Sequence, residues 1–177
     1  MKAFSNLLSD LILTSSRNRK LSLLEQYFSS TPDPDRGYAL AALTGSLNFK
    51  NIKASFFKDL IKEKQDEHLF DLSYDYVGDL AETISLLWDQ EEGGNMPRLS
   101  SLFENLKKAK NDELKNHIIN ILNISTADQR WAFIKLFTGG LRIGVSSRLV
   151  KQALANYGNV DLEAVSYTHL TLPTTLS

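Results

Sequence analysis

The sequence predicts an all-α fold, an irregular bundle of many helices. Apolar residues recur at intervals of three and four along most of the 177 residues, which is the period of a helix buried on one side. Serine, threonine, aspartate, glycine and proline stand where these segments begin or end. No strand pattern interrupts them. With 42% hydrophobic and 23% charged residues, the chain can bury a core without covalent links.

Six helices are predicted before residue 90. Ser15 and Ser16 can cap the second, and Pro34 lies near the first position of the third. Residues 38–43 are apolar almost all round, so we expect the third helix to be central. Gly78 allows the turn between the fifth and the sixth. The apolar stripes of the first, second and fourth helices are Leu7, Leu8, Leu11 and Ile12; Leu21, Leu24, Tyr27 and Phe28; and Ile52, Phe56, Leu60 and Ile61.

Residues 90–97 predict a loop, because the stretch is polar and contains two glycines and Pro97. It separates two helical halves of the chain. In the second half, Ser125 or Thr126 followed by Asp128 marks a helix start, with acidic charge at the positive end. The helices expected after the loop cover residues 99–108, 112–122, 127–138 and 147–157.

The last residues differ in composition from the rest of the chain. No Lys, Arg, Asp or Glu follows Glu163, and four threonines crowd residues 168–175. The stretch VSYTHLTLPTT resembles the translation of a transposase-type sequencing adapter. We therefore expect one domain over residues 1–164 and a non-native, adapter-derived tail over residues 165–177 that truncates the reading frame. A genuine disordered tail is the alternative.

Composition argues against several classes of site. The chain has no cysteine, so disulfides and thiolate metal sites are impossible. His68 and His117 lack the spacing of metal ligands, and we expect them at exposed or half-buried helix positions. No stretch approaches the about 20 apolar residues that cross a bilayer. The net charge of −1 gives no argument for nucleic acid, so any DNA-binding claim depends on local sites.

The most informative segment is residues 138–147, TGGLRIGVSS, between two apolar helices. Its three glycines allow a sharp turn and a close approach to another surface. Ser146 or its neighbour can cap the next helix, whose first amides and dipole attract anions. With Arg142, Arg148 and Lys151 nearby, the segment can hold a phosphate backbone without contacting bases. Alternatively, it is a glycine C-cap followed by an N-cap, with Arg142 paired inside the fold.

A second basic segment, residues 15–20 (SSRNRK), has the same two interpretations. It is either a capped helix start or a second phosphate clamp. The run of Lys107, Lys108 and Lys110 is interpreted as a solvated face.

Residues 139–146, GGLRIGVS, resemble a turn in the amino-terminal DNA-binding domain of ATP-dependent DNA ligases. The flanking helices match as well, with FIKLF before the turn and SRLVKQAL after it. Residues 78–82, GDLAE, resemble the second turn of that family, and Ser15-Ser16-Arg17 stands at the position of a third. The likeness extends from Met1 to about Val165 and is strongest to the bacterial branch.

The resemblance implies the all-α fold of that domain and sequence-independent binding in the minor groove of nicked duplex DNA. It further implies a monomer in the bacterial cytoplasm, associated with the nucleoid, that serves DNA replication, repair or recombination. Some relatives carry a basic residue where this chain has Gly140, so a phosphate contact is missing here. The DNA contacts carried over to this sequence are Ser15, Arg17, Gly78, Gly139, Gly140, Arg142, Gly144 and Ser146.

The catalytic motif of the family does not occur in this chain. Its nucleotidyltransferase domain attacks ATP with a lysine in K-x-D-G, and no lysine here is followed by x-D-G. We therefore expect no catalytic residue, metal or cofactor in this chain. The full-length ligase is expected to use ATP and Mg²⁺, and to form lysine-AMP and DNA-adenylate intermediates in the missing catalytic domains. The alternative function is a helical protein-interaction scaffold without DNA affinity.

Overall fold

The computed structural model describes residues 1–89, 94–138, 141 and 143–159. Ten α-helices and no strand occur in these residues, which confirms the all-α prediction. Each predicted helix is present, with its ends within a few residues of the expected ones. The helices are α1 (Lys2–Leu13), α2 (Arg17–Ser30), α3 (Asp35–Leu43), α4 (Ala54–Lys64), α5 (Glu67–Val77), α6 (Leu80–Leu87), α7 (Leu99–Lys108), α8 (Asn111–Ile124), α9 (Ala127–Thr138) and α10 (Ser147–Gly158).

Local capping explains several helix starts. Asp66 caps α5, because its carboxylate accepts a hydrogen bond from the Leu69 amide at 2.8 Å. At the start of α9, the Thr126 hydroxyl accepts from the Gln129 amide, and the Gln129 side chain accepts from the Thr126 amide at 3.0 Å. This reciprocal pair is a capping box, which satisfies two amides at once. Of the two expected start residues for α9, Thr126 is therefore the cap.

Contacts divide the chain into two compact units. The first unit comprises residues 1–2 and the described residues of 49–97 and 101–138. The second unit comprises residues 3–48 and 98–100 and the described residues of 141–159. The predicted tail, residues 165–177, lies outside the described residues. The single domain expected over residues 1–164 stays a prediction.

Aromatic side chains fill the core of the first unit. Phe137 on α9 lies 4.9 Å from Phe49 and 5.0 Å from Phe133, measured between ring centroids. Phe57 on α4 packs edge-on against Phe133. Such pairs contribute roughly 0.5–1.5 kcal/mol each beyond simple burial. The sequence predicts Phe56 on the buried face of α4, but Phe56 is only half-buried, and Phe57 is fully buried instead because it faces the α9 rings.

The core of the second unit forms around α3. All residues from Tyr38 to Leu43 are buried, as the sequence predicts for a central helix. Helix α10 packs mainly on α2 and also contacts α3. Helix α1 buries Leu7, Leu8 and Leu11, whereas Ile12, expected in the same stripe, is about half exposed. The buried face of α1 extends toward its start instead, where Phe4 is buried.

A buried arginine caps the carboxyl-terminal ends of two helices in the first unit. Arg130 is 2% exposed, and its Nη1 donates to the carbonyls of Ser85 at 3.0 Å and Trp88 at 2.7 Å. Its Nε donates to the Ser125 carbonyl at 3.3 Å. These carbonyls end α6 and α8, where no helical amide is left to bond them. The positive charge also lies at two negative helix ends, although burial lowers the pKa of this guanidinium.

Candidate nucleic-acid interface

The residues predicted to contact DNA fall into three groups in the structure. Ser15, Arg17, Gly144 and Ser146 lie in the second unit, and Gly78 lies in the first. The remaining predicted residues, Gly139, Gly140 and Arg142, lie outside the described residues.

Serine side chains cap the two helices that begin near the predicted contacts. Ser16 accepts a hydrogen bond from the Arg19 amide at 3.3 Å and caps α2. Ser146 accepts from the Leu149 amide at 3.2 Å and caps α10. Ser15 is exposed and is not the cap. A side-chain cap satisfies one amide of each first turn and leaves others free to bind an anion.

Lys20 ties the start of α2 to the turn that precedes α10. Its ammonium group donates to the carbonyls of Gly144 at 2.9 Å and Ile143 at 3.4 Å. Gly144 has a φ of +63°, in the left-handed region, and a Cβ there would lie 2.6 Å from the Lys20 nitrogen. Residues 15–20 and 143–148 therefore belong to one surface, which we call the paired-turn surface.

Helices α2 and α10 run in the same direction. Near its start, α2 contacts the turn before α10 through Lys20. Further along, Glu25 accepts a hydrogen bond from Asn156, near the end of α10, at 2.6 Å. Beyond the end of α2, the guanidinium of Arg36 lies 4.8 Å from the Tyr157 ring. The amino-terminal ends of both helices therefore lie side by side, and their positive dipole ends reinforce one another.

The paired-turn surface carries four cations and no acidic residue in its sequence. Arg17, Arg19 and Arg148 are exposed, and Lys20 is half-buried. Elsewhere, α3, α5, α6, α8 and α9 have Asp or Glu in the first turn, where acidic charge stabilises a helix. Arginine near the starts of α2 and α10 is unfavourable for the helices themselves. Its charge favours an external anion at this surface instead.

The turn at Gly78 has a different electrostatic character. Gly78 is exposed, adopts a φ of +76° and ends α5. The next residue, Asp79, caps α6 by accepting from the Glu82 amide at 2.8 Å, and it forms an ion pair with Lys135. Partial burial raises the pKa of Asp79, but the hydrogen bonds from Lys135 and Glu82 outweigh burial and leave it below the ordinary value. Because Lys135 is engaged in this pair, a phosphate at Gly78 would depend on backbone contacts.

Sequence reasoning missed the role of Lys20. It belongs to the predicted basic segment, but its bonding partners are 123 and 124 residues away in the chain. No local pattern relates positions so far apart. The buried position of Arg130 could have been predicted from the sequence. Arg130 shares a helix face with Phe133, Ile134 and Phe137, where a charged residue is unexpected.

Other kinds of site find little support in the described residues. His68 is exposed on α5, and His117 is half-buried on α8, as expected. Within the described ranges, no three His, Asp or Glu side chains are grouped so that they could hold a metal ion. No helix in this part of the chain is long and apolar enough to cross a membrane. The free amides and cations of the paired-turn surface can bind anions.

A comparison with known protein families finds a match for most of this chain. The family model described as DNA ligase N terminus matches residues 1–155. No curated protein matches the chain. The matched region includes both segments of the paired-turn surface and the Gly78 turn. The match covers most of the 177 residues, and the chain therefore belongs to the DNA ligase N terminus family.

Proposed function

We propose that this chain is the DNA-binding module of a bacterial, ATP-dependent DNA ligase, and that it holds nicked duplex DNA without regard to sequence. The observation that carries the proposal is the paired-turn surface. Two helix starts lie side by side there, Lys20 holds them together, and the segment contains cations without acids.

This arrangement suits a phosphate backbone better than it suits bases. Free amides at helix starts bind phosphate oxygens, and arginine adds charge-assisted hydrogen bonds. Contacts of this kind position a protein on a duplex but carry no sequence information. Each neutralised phosphate releases counterions, so affinity should fall with salt by a slope of about 0.9 per contact.

In the proposed parent enzyme, this module supplies the hold on DNA and another domain supplies the chemistry. That domain would form lysine-AMP from ATP with Mg²⁺, pass AMP to the nick as a DNA adenylate, and seal the strand. None of the lysines in this chain stands in the K-x-D-G motif that such chemistry requires. We further propose that the enzyme works as a monomer on the nucleoid, in replication, repair or recombination.

Binding to a labelled nicked duplex across a salt series tests the proposal. We expect weak binding that falls as salt rises and is equal for duplexes of different sequence. Arg17→Ala and Arg142→Ala should each weaken binding several-fold and reduce the salt slope by about 1. The control is Lys108→Ala, which removes one exposed positive charge from the end of α7, away from both segments in sequence.

The control separates a local site from the effect of bulk charge. If Lys108→Ala weakens binding as much as Arg17→Ala, binding follows net charge and the paired-turn surface is not the site. If a folded chain, verified by circular dichroism, does not bind at low salt, the helical interaction scaffold becomes the better interpretation.

A further inference from the structure

An apolar groove lies between α5 and α6 in the first unit. Leu69, Leu72 and Tyr76 follow one another along α5 at i, i+3 and i+7, which places them on one face of the helix. Leu86 faces the groove from α6. Leu72, Tyr76 and Leu86 are 56%, 92% and 65% exposed. The groove has a volume of about 330 Å³.

The lining of the groove is unlike that of a small-molecule site. Besides Leu72, Tyr76 and Leu86, it consists of Ser73, Val77, Thr83 and Leu87. The Thr83 hydroxyl already donates to the Asp79 carbonyl at 2.7 Å. Small-molecule sites combine an apolar lining with several convergent polar groups, and this groove offers few. An exposed apolar patch of this kind is typical of a surface that binds another protein.

The two helices that form the groove carry acidic residues and no Lys or Arg. On α5, Asp75 is three residues from Leu72, and on α6, Glu82 is four residues from Leu86, so each acid is a surface neighbour of a groove leucine. Asp75 and Glu82 are both exposed. Acidic charge on these helices repels the phosphates of a nucleic acid and attracts Lys and Arg side chains. Charge therefore favours a basic protein segment over DNA.

We propose that the groove binds an amphipathic helix of a partner protein, whose apolar residues at i, i+3 or i+4, and i+7 are flanked by Lys and Arg. The spacing of Leu69, Leu72 and Tyr76 offers an apolar strip about two helical turns long, which matches one face of such a helix. The apolar strip supplies affinity, and Asp75 and Glu82 select for basic flanks. The groove contains no residue of the paired-turn surface, and the proposed partner site does not depend on the proposed DNA binding.

Two synthetic peptides of about 15 residues test the proposal. Both carry leucines at the stated helical spacing, one with lysine flanks and the other with glutamate flanks, and anisotropy measures their binding to the full chain. We expect the lysine peptide to bind in the micromolar range and the glutamate peptide to bind far more weakly. Leu72→Ser should weaken binding roughly tenfold. Asp75→Asn combined with Glu82→Gln should weaken it roughly two- to fivefold and flatten its salt dependence.

A matched control and four contrary outcomes complete the test. Leu13→Ser changes a leucine of α1 that is 84% exposed and does not line the groove, so it should leave peptide binding unchanged. The proposal fails if the lysine peptide does not bind, or if both peptides bind equally. It fails if this chain forms a dimer that Leu86→Ser dissociates, because a second copy of the chain would then occupy the groove. It fails if Leu72→Ser weakens nicked-duplex binding, which would make the groove a DNA surface.

The DNA and peptide measurements can fail independently. Arg17→Ala should leave peptide binding unchanged, because Arg17 does not line the groove. Loss of DNA binding together with intact peptide binding would therefore count against the proposed function alone.

Discussion

Replacing Arg130 by methionine tests whether a buried guanidinium holds two helix ends in the first unit. Methionine is apolar and flexible, so it can occupy much of the space left by the arginine stem. The three carbonyls that Arg130 bonds, on Ser85, Trp88 and Ser125, would lose their donor. We expect the variant to fold and to be less stable than the wild type.

The size of the effect follows from two opposing contributions. Each buried carbonyl left without a donor costs roughly 1–3 kcal/mol, so three of them cost about 3–9 kcal/mol. Removing the charge offsets several kcal/mol, because a buried guanidinium is no longer desolvated. We expect a net loss of about 3 kcal/mol in the free energy of unfolding. For a chain of this size, that corresponds to a fall in Tm of roughly 6–12 °C.

Urea unfolding followed by circular dichroism measures the difference, with Arg98→Met as the control. Arg98 is exposed and pairs with Asp35 at 3.3 Å, so the same substitution there should change the free energy of unfolding by less than about 1 kcal/mol. If Arg130→Met is as stable as the wild type, the three carbonyls do not depend on the guanidinium and the reasoning fails. An equal loss in both variants would also refute it, because the effect would then not arise from burial.

Two further predictions concern Asp79 and the glycine turns. Asp79→Asn keeps a cap for α6 but removes the charge that faces Lys135. Because the folded-state pKa of Asp79 is lowered, its stabilisation is present above its unfolded pKa and is lost as pH falls through the folded pKa. Urea midpoints should therefore differ modestly at pH 7 and converge in acid, and a difference unchanged in acid would contradict the ion pair. Gly144→Ala should cost about 1–2 kcal/mol for its left-handed backbone and more for the displaced Lys20. In Gly78→Ala the added Cβ meets nothing within 4 Å, so the left-handed backbone alone should lower the free energy of unfolding. Equal unfolding midpoints for the two glycine variants would therefore contradict the Lys20 contact.

The helices were predictable because their signals are local. Period, caps and turn residues act within a few positions, and they predicted helices such as α9 and α10 close to their observed bounds. The choice between Phe56 and Phe57 was different. Adjacent residues on a helix point about 100° apart, so the position of the partner helix decides which one is buried. That position is set by contacts with α9, which the local sequence does not contain.

By itself, the sequence determined the helical fold and a start of α10 that is capped by Ser146 or Ser147, of which the structure shows Ser146 as the cap. Only the tertiary structure decided that Lys20 bonds the turn before α10, that α2 and α10 run in the same direction, and that Arg130 bonds the carbonyls at the end of α6. The physical reason is the distance along the chain over which each kind of interaction acts. A cap or a periodic stripe depends on neighbours within one or two turns, whereas these contacts join residues tens of positions or more apart, which only the packed chain brings together.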